Sequence, residues 1–130
     1  MDTVENGIAM VDTRIVVAGL WVALMLTYLL GDVLRIFAGD YTAGELAGKP
    51  ATPAMWLGIA ILMLIPIVMV VLSLVLPFPA VRWVTTIAAA FLVLFNLAAL
   101  PYPGAYDNFL TVVGIAINGL TIWQAWVLTA

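Results

Sequence analysis

The 130-residue chain has no cysteine and no histidine, and its only lysine is Lys49. Without cysteine it makes no disulfide, offers no thiolate nucleophile and builds no thiolate metal site. Without histidine, haem held by imidazole, His-based metal sites and His proton relays are excluded too. Lys49 lies in a segment rich in Gly and Pro, which argues against a buried Schiff-base lysine. Charge of both signs is scarce. Four basic residues face seven acidic ones, 8% of the chain in all, for a net charge of −3. So few cations argue against nucleic acid or an anionic lipid surface as a partner.

Apolar residues fill the space left by charge. They make up 66% of the chain and are gathered into runs. Ile15–Gly31, Pro53–Val81, Trp83–Tyr106 and Asn108–Ala130 contain no acidic or basic side chain. A hydrocarbon layer of about 30 Å takes about 20 helical residues to cross, so the chain has length for four crossings and little more. The fold class expected is all-α, an integral membrane four-helix bundle with up-down-up-down topology and short turns. Residues 1–13 read as a polar tail, and 14–130 as one domain with helices at about 14–37, 53–76, 80–100 and 108–128. The tail carries Asp2, Glu5 and Asp12 with no basic residue before Arg14. A cleavable leader would begin with a basic segment, so the first run is expected to stay as helix 1.

Local signals place the helix ends. Asp12 or Thr13 can cap helix 1, and Thr52-Pro53 reads as an N-cap followed by a first-turn proline. Pro66 falls inside helix 2, where it cannot donate to the carbonyl of Leu62 and should kink the helix. Pro77-Phe78-Pro79 makes so tight a turn that helices 2 and 3 are expected to be antiparallel neighbours. Pro101-Tyr102-Pro103-Gly104 breaks the chain again, and Asp107 or Asn108 is expected to cap helix 4. The longest loop is 38–52. Four spans put both termini on one side. Arg14 and Arg82 lie on that side, with Lys49 and Arg35 on the other, so the positive-inside signal is weak. A cell-membrane, multi-pass location with cytoplasmic termini is the expectation, on the view that Arg35 is engaged within the protein.

Polar residues in a bilayer each need a partner or a purpose. At 100° per residue, Trp21, Leu24, Tyr28, Asp32 and Arg35 share one stripe of helix 1. Arg82, Thr85, Ala89 and Asn96 form a stripe on helix 3, and Thr111, Gly114, Asn118, Thr121 and Ala125 one on helix 4. Turned inward together, they would line a polar pocket open towards the long loop, which could cover it. The pocket candidates are Tyr28, Asp32, Arg35, Asn96, Thr111 and Asn118. Plainer readings stand beside this one. Asp32 and Arg35, three apart, can form a local ion pair at a helix end, and Asn96 and Asn118 can be interhelical hydrogen bonds. Gly19, Gly58 and Gly114 suit close helix packing. The tryptophans, with Tyr41, Tyr102 and Tyr106, read as interface anchors, and Gln124 points away from the Asn118 stripe.

The run Ile61-Leu62-Met63-Leu64-Ile65-Pro66-Ile67-Val68-Met69-Val70-Val71-Leu72-Ser73 is followed by Arg82-Trp83. Leu20-Trp21 and Asp32-Val33 precede it, and Ile122-Trp123-Gln124-Ala125-Trp126 closes the chain. Together these segments resemble a family of small prokaryotic four-span membrane proteins of unknown function, similar in layout to DoxX-like proteins. The resemblance implies a fold and a membrane location, and through the DoxX-like layout a redox-associated, quinone-binding role. Three functions follow as expectations. The first is a non-enzymatic membrane protein that packs with itself or with a membrane partner protein. The second is a small homo-oligomeric transporter or channel using the pocket near Asp32, Arg35 and Asn96. The third is the quinone-associated subunit. No catalytic residue, cofactor or metal is expected, and the lipid bilayer is the expected surrounding.

Overall fold

A computed structural model describes residues 12–46 and 48–128 of the chain. Most of the polar tail expected over 1–13, residues 1–11, lies outside the described residues. Four long helices make up most of the molecule: α1 (Thr13–Phe37), α2 (Pro53–Val75), α3 (Phe78–Ala99) and α4 (Ala105–Leu128). Each is long and apolar enough to span a membrane, as the all-α bundle reading requires. Between α1 and α2 the chain forms a small antiparallel hairpin of β1 (Glu45–Leu46) and β2 (Lys49–Pro50), in which Leu46 pairs with Lys49.

The helix starts reflect local chemistry. The Asp12 carboxylate accepts from the Arg14 backbone N–H at 2.8 Å, satisfying one of the donors left open at a helix N-terminus. Thr52 does the same for Met55 at 3.2 Å, with Pro53 following it in the first turn. The helix 4 expectation is corrected. α4 begins at Ala105, before both residues proposed as its cap, because the Gly104 carbonyl accepts from the backbone N–H groups of Asp107 and Asn108. That leaves their side chains free for other partners. Asn108 uses its amide to hold Tyr102, accepting from the Tyr102 N–H at 2.7 Å and donating to its carbonyl at 2.9 Å. Pro66 is buried within α2, which runs unbroken through it.

Packing departs from chain order. α1 lies between α2 and α4, α3 packs against α4, and α2 meets α3 only slightly. α2 and α3, joined by the tight turn, do meet as the expected neighbours, but only slightly, because their inward faces serve other partners. α3 turns Val81, Thr85, Ala89, Leu92 and Asn96 inward. α2 buries only Pro66, Met69 and Ser73. The apolar core of Val17, Trp21, Leu24, Met69, Ala89 and Leu92 fills the bundle from near the termini to its middle. At the terminal end Arg14 stacks on Phe78 at 4.3 Å and donates to the Leu74 carbonyl at 3.2 Å. Arg82 lies 4.4 Å over the Trp126 ring, whose N–H donates to Thr86 at 3.0 Å. These contacts bind the α2–α3 turn to the start of α1 and the end of α4.

The outward faces are apolar along their length. Leu57, Leu94 and Phe109 are more than 60% exposed, with many others like them. Water would make such a surface costly, whereas hydrocarbon is as apolar as the side chains themselves. The fold is compatible with a multi-pass membrane protein.

Candidate functional site

The half of the bundle away from the termini is hollow. A cavity of about 900 Å³ opens on the long-loop side between all four helices. It exists because α2 and α3 barely meet. Their ends on this side hold Trp56, Ile59, Leu62 and Met63 on one wall and Leu92, Phe95 and Asn96 on the other. The loop covers its mouth with Asp40, Tyr41, Thr42, Glu45, Leu46 and Gly48. Positive φ at Gly39, Gly44 and Gly48 (78°, 82° and 79°) lets the chain fold back there at positions where a side chain would be strained.

Arg35 is the electrostatic centre. Its Nε and Nη2 donate to the two carboxylate oxygens of Asp107 at 2.7 and 3.0 Å, and its Nη1 to Asp32 at 2.6 Å. The fork-to-fork pairing with Asp107 is the stronger arm, since two donors of the guanidinium are fixed by one carboxylate. Asp107 is 4% exposed, whereas the Asp32 side chain is 51% exposed. The expected local Asp32–Arg35 pair is present, but as the outer arm of a bridge that fastens α1 to α4. Tyr102 lies under the guanidinium, its ring centroid 5.6 Å from the Arg35 carbon. Burial pushes the Tyr102 hydroxyl above its ordinary pKa, while the Arg35 charge pulls the other way.

The other candidates fall at three depths. Asn96, from α3, donates to the Tyr28 hydroxyl at 2.8 Å, and both line the cavity. Thr111 also lines it, with its hydroxyl donating to the Asp107 carbonyl at 2.8 Å. Asn118 does not reach the cavity and is fully buried farther in. Of the glycines singled out, Gly114 touches Tyr28 and Leu24, while Gly19 and Gly58 have open space around them within one protomer.

Sequence reasoning misses several members of the site. Asp107 reads as a helix cap, although the start of α4 lies at the same end of the bundle as Arg35 near the end of α1. Trp56 and Tyr102 read only as interface anchors, yet both line the cavity. The Tyr106 hydroxyl donates to Asp40 at 2.6 Å, tying the loop to the first turn of α4; nothing in the spacing of these residues announces that contact.

The resulting site is amphipathic and acidic. Asp32, Asp40, Glu45 and Asp107 face it, with Arg35 as the one cation among the lining residues. Aromatic rings from Tyr28, Tyr41, Trp56, Phe95 and Tyr102 make up much of the wall. Among the described residues no group of three or more carboxylates could hold a metal ion.

The chain belongs to the family of unknown function DUF6326, which it matches over residues 10–128. No curated protein and no solved structure matches it significantly. The family fixes kinship over most of the chain and leaves the activity to be argued from the site.

Proposed function

We propose that the protein binds a lipophilic cation in the cavity beneath the long loop. The observation that carries this reading is the lining itself: four carboxylates against one guanidinium, set in aromatic and aliphatic walls. A volume of about 900 Å³ lies at the upper end of the range typical for drug-sized ligands. A bulky organic cation would place its charge near Asp40 and Glu45, neither of which is ion-paired among the described residues, and its rings against Trp56 and Phe95. Cation–π attraction adds about 0.5–2 kcal/mol where the ring faces are shielded from water. The gap between α2 and α3 supports entry sideways from the bilayer, where such a ligand would concentrate. No reacting group is implied, and the role is non-enzymatic. With the termini in the cytoplasm of a cell membrane, the mouth would open outward, and movement across the membrane would require the terminal half to open in turn.

The test uses two probes of the same shape and opposite charge, tetraphenylphosphonium and tetraphenylborate. Purified protein in nanodiscs of zwitterionic lipid should bind the cation saturably and reject the anion. Glu45→Gln should weaken cation binding. Equal binding of the two ions, or none of the cation, would remove the proposal.

A second reading, self-association, is favoured by the open faces at Gly19 and Gly58, where helices of two copies could approach closely. A loss of dimer on Gly58→Leu, read by mass photometry, would support it.

A further inference from the structure

The charged groups of the cavity are sorted by depth. Asp32, Arg35, Asp40, Glu45 and Asp107 are the charged residues that line it. Asp40 and Glu45 belong to the loop, Arg35 is in the last turn of α1, and Asp107 is in the first turn of α4. Asp32 reaches farthest in. It is five residues from the end of α1 at Phe37, about 7.5 Å at 1.5 Å per residue.

Farther in, the lining carries no charge. Met63 stands ten residues into α2 from Pro53, about 15 Å, which is the middle of a hydrocarbon layer about 30 Å thick. The polar side chains below the charged ones are bonded within the protein. Thr27 donates to the Ala23 carbonyl and Thr111 to the Asp107 carbonyl, both at 2.8 Å, and Asn96 donates to the Tyr28 hydroxyl at 2.8 Å.

The cavity is sorted across the bundle as well. α2 contributes only Trp56, Ile59, Leu62 and Met63, none with a charge, hydroxyl or amide. Pro53–Gly58, the first six residues of α2, are all exposed, so no neighbouring helix closes over its start. Phe95, on the α3 side, lines the cavity and is itself 47% exposed. With α2 and α3 meeting only slightly, the apolar side of the cavity continues into the bilayer. A membrane-dissolved amphiphile is sorted in the same way. Its charge stays at the headgroup level, because charge in hydrocarbon is costly, and its chain lies among the acyl tails. Such an ion enters between α2 and α3 by a sideways step, without turning over and without carrying its charge through hydrocarbon.

Resting on the cation reading above, we propose that the ligand class is the amphiphilic cation. Its charged head is held at the mouth by Asp40 and Glu45, and its hydrocarbon chain lies along α2 past Ile59 and Met63. The loop then reads the charge, and the gap between α2 and α3 takes the chain.

The experiment uses two photoaffinity analogues of dodecyltrimethylammonium, one with a diazirine beside the head and one with it at the chain end. Each is irradiated with the wild-type protein in nanodiscs of zwitterionic lipid, with and without excess tetraphenylphosphonium, and labelled residues are mapped by mass spectrometry. Label that the competitor removes marks the cavity, and label that it leaves marks the ordinary lipid surface, such as Leu57 and Leu94. The head analogue should lose most of its label on residues 38–52, and the chain analogue most of its label around Ile59, Met63 and Phe95. A dodecyl alcohol analogue, neutral with the same chain, should give no removable label. Removable chain-end label on the loop with none on α2 would overturn the proposal, and so would equal removable label from the alcohol. If tetraphenylphosphonium binds in its own titration but removes no label, the amphiphile proposal fails alone; if it does not bind, the cation reading fails and takes this one with it. Didodecyldimethylammonium as competitor separates two sources of the supported chemistry, a two-chain cationic lipid if it removes the label and a single-chain solute if it does not.

Discussion

Removing Asp107 should cost far more than removing Asp32, although both are aspartates bonded to the same arginine. Asp107 is buried and holds Arg35 by two bonds at 2.7 and 3.0 Å, while Asp32 holds it by one and its side chain is half exposed. Hydrogen bonds to charged groups contribute about 1.5–3 kcal/mol each, and Asp107→Asn keeps one acceptor, so a loss of roughly 2–3 kcal/mol is expected. Arg35→Ala strands the Asp107 carboxylate without a partner and should cost roughly 3–5 kcal/mol. Asp32→Asn removes only an exposed arm, worth about 0.2–1 kcal/mol. Replacing both partners of the inner arm, Arg35→Met with Asp107→Leu, should recover much of the single-variant loss, because no buried charge is left alone. Reversible unfolding of each variant in mixed micelles, assembled into a double-mutant cycle, measures all four. If Asp32→Asn proves as costly as Asp107→Asn, or the double variant is no better than Arg35→Ala, the reasoning fails.

Gly114→Leu should destabilise the fold by roughly 1–3 kcal/mol by overpacking the α1–α4 contact, since a Cβ there already lies 3.4 Å from the Tyr28 ring. Gly19→Leu and Gly58→Leu should leave unfolding of the monomer unchanged, because both positions open onto empty space; the same titration reads them. Tyr28→Phe should cost little stability, about 0.6 kcal/mol for an interhelical bond in a bilayer, visible as a small shift in the same curve. Tyr106→Phe should loosen the loop by removing its bond to Asp40, and Gly104→Ala should do so by displacing the Tyr106 ring, which lies 2.5 Å from where the new Cβ would sit. Stopped-flow release of a bound cation should quicken in both variants, and an unchanged rate would deny the loop any part in retention.

The architecture is legible in the sequence because its signals are long and repeated. Uncharged runs of helical length set the spans, and the 100° stripes pick out Trp21, Leu24, Thr85, Ala89, Asn96, Asn118, Thr121 and Ala125, all of them inward-facing or buried. Much less legible is anything set by which helix lies beside which. A turn as short as Pro77–Pro79 fixes where two helices meet, not how far they stay together, so the gap between α2 and α3 leaves no mark in the sequence. The same limit hides Asp107. At a helix start a carboxylate is an ordinary cap, and only because α4 already begins at Ala105 is Asp107 left for Arg35. The hairpin of Glu45–Pro50 is equally hidden, since two-residue strands carry no alternation to detect.

The spatial order α2-α1-α4-α3 leaves the bundle as two pairs, α1 with α2 and α3 with α4, joined along the α1–α4 seam and pinned at one end by the α2–α3 turn. Such an object has the mechanics of a clothes-peg. The seam acts as the spine, the aromatic and arginine contacts near the termini act as the pivot, and the jaws are the free ends of α2 and α3. Ile59, Met63 and Phe95 line the cavity from the jaws, and none of them belongs to the spine. A lineage could therefore resize the opening for ligands of different girth by substitutions at those positions while the spine stayed as it is.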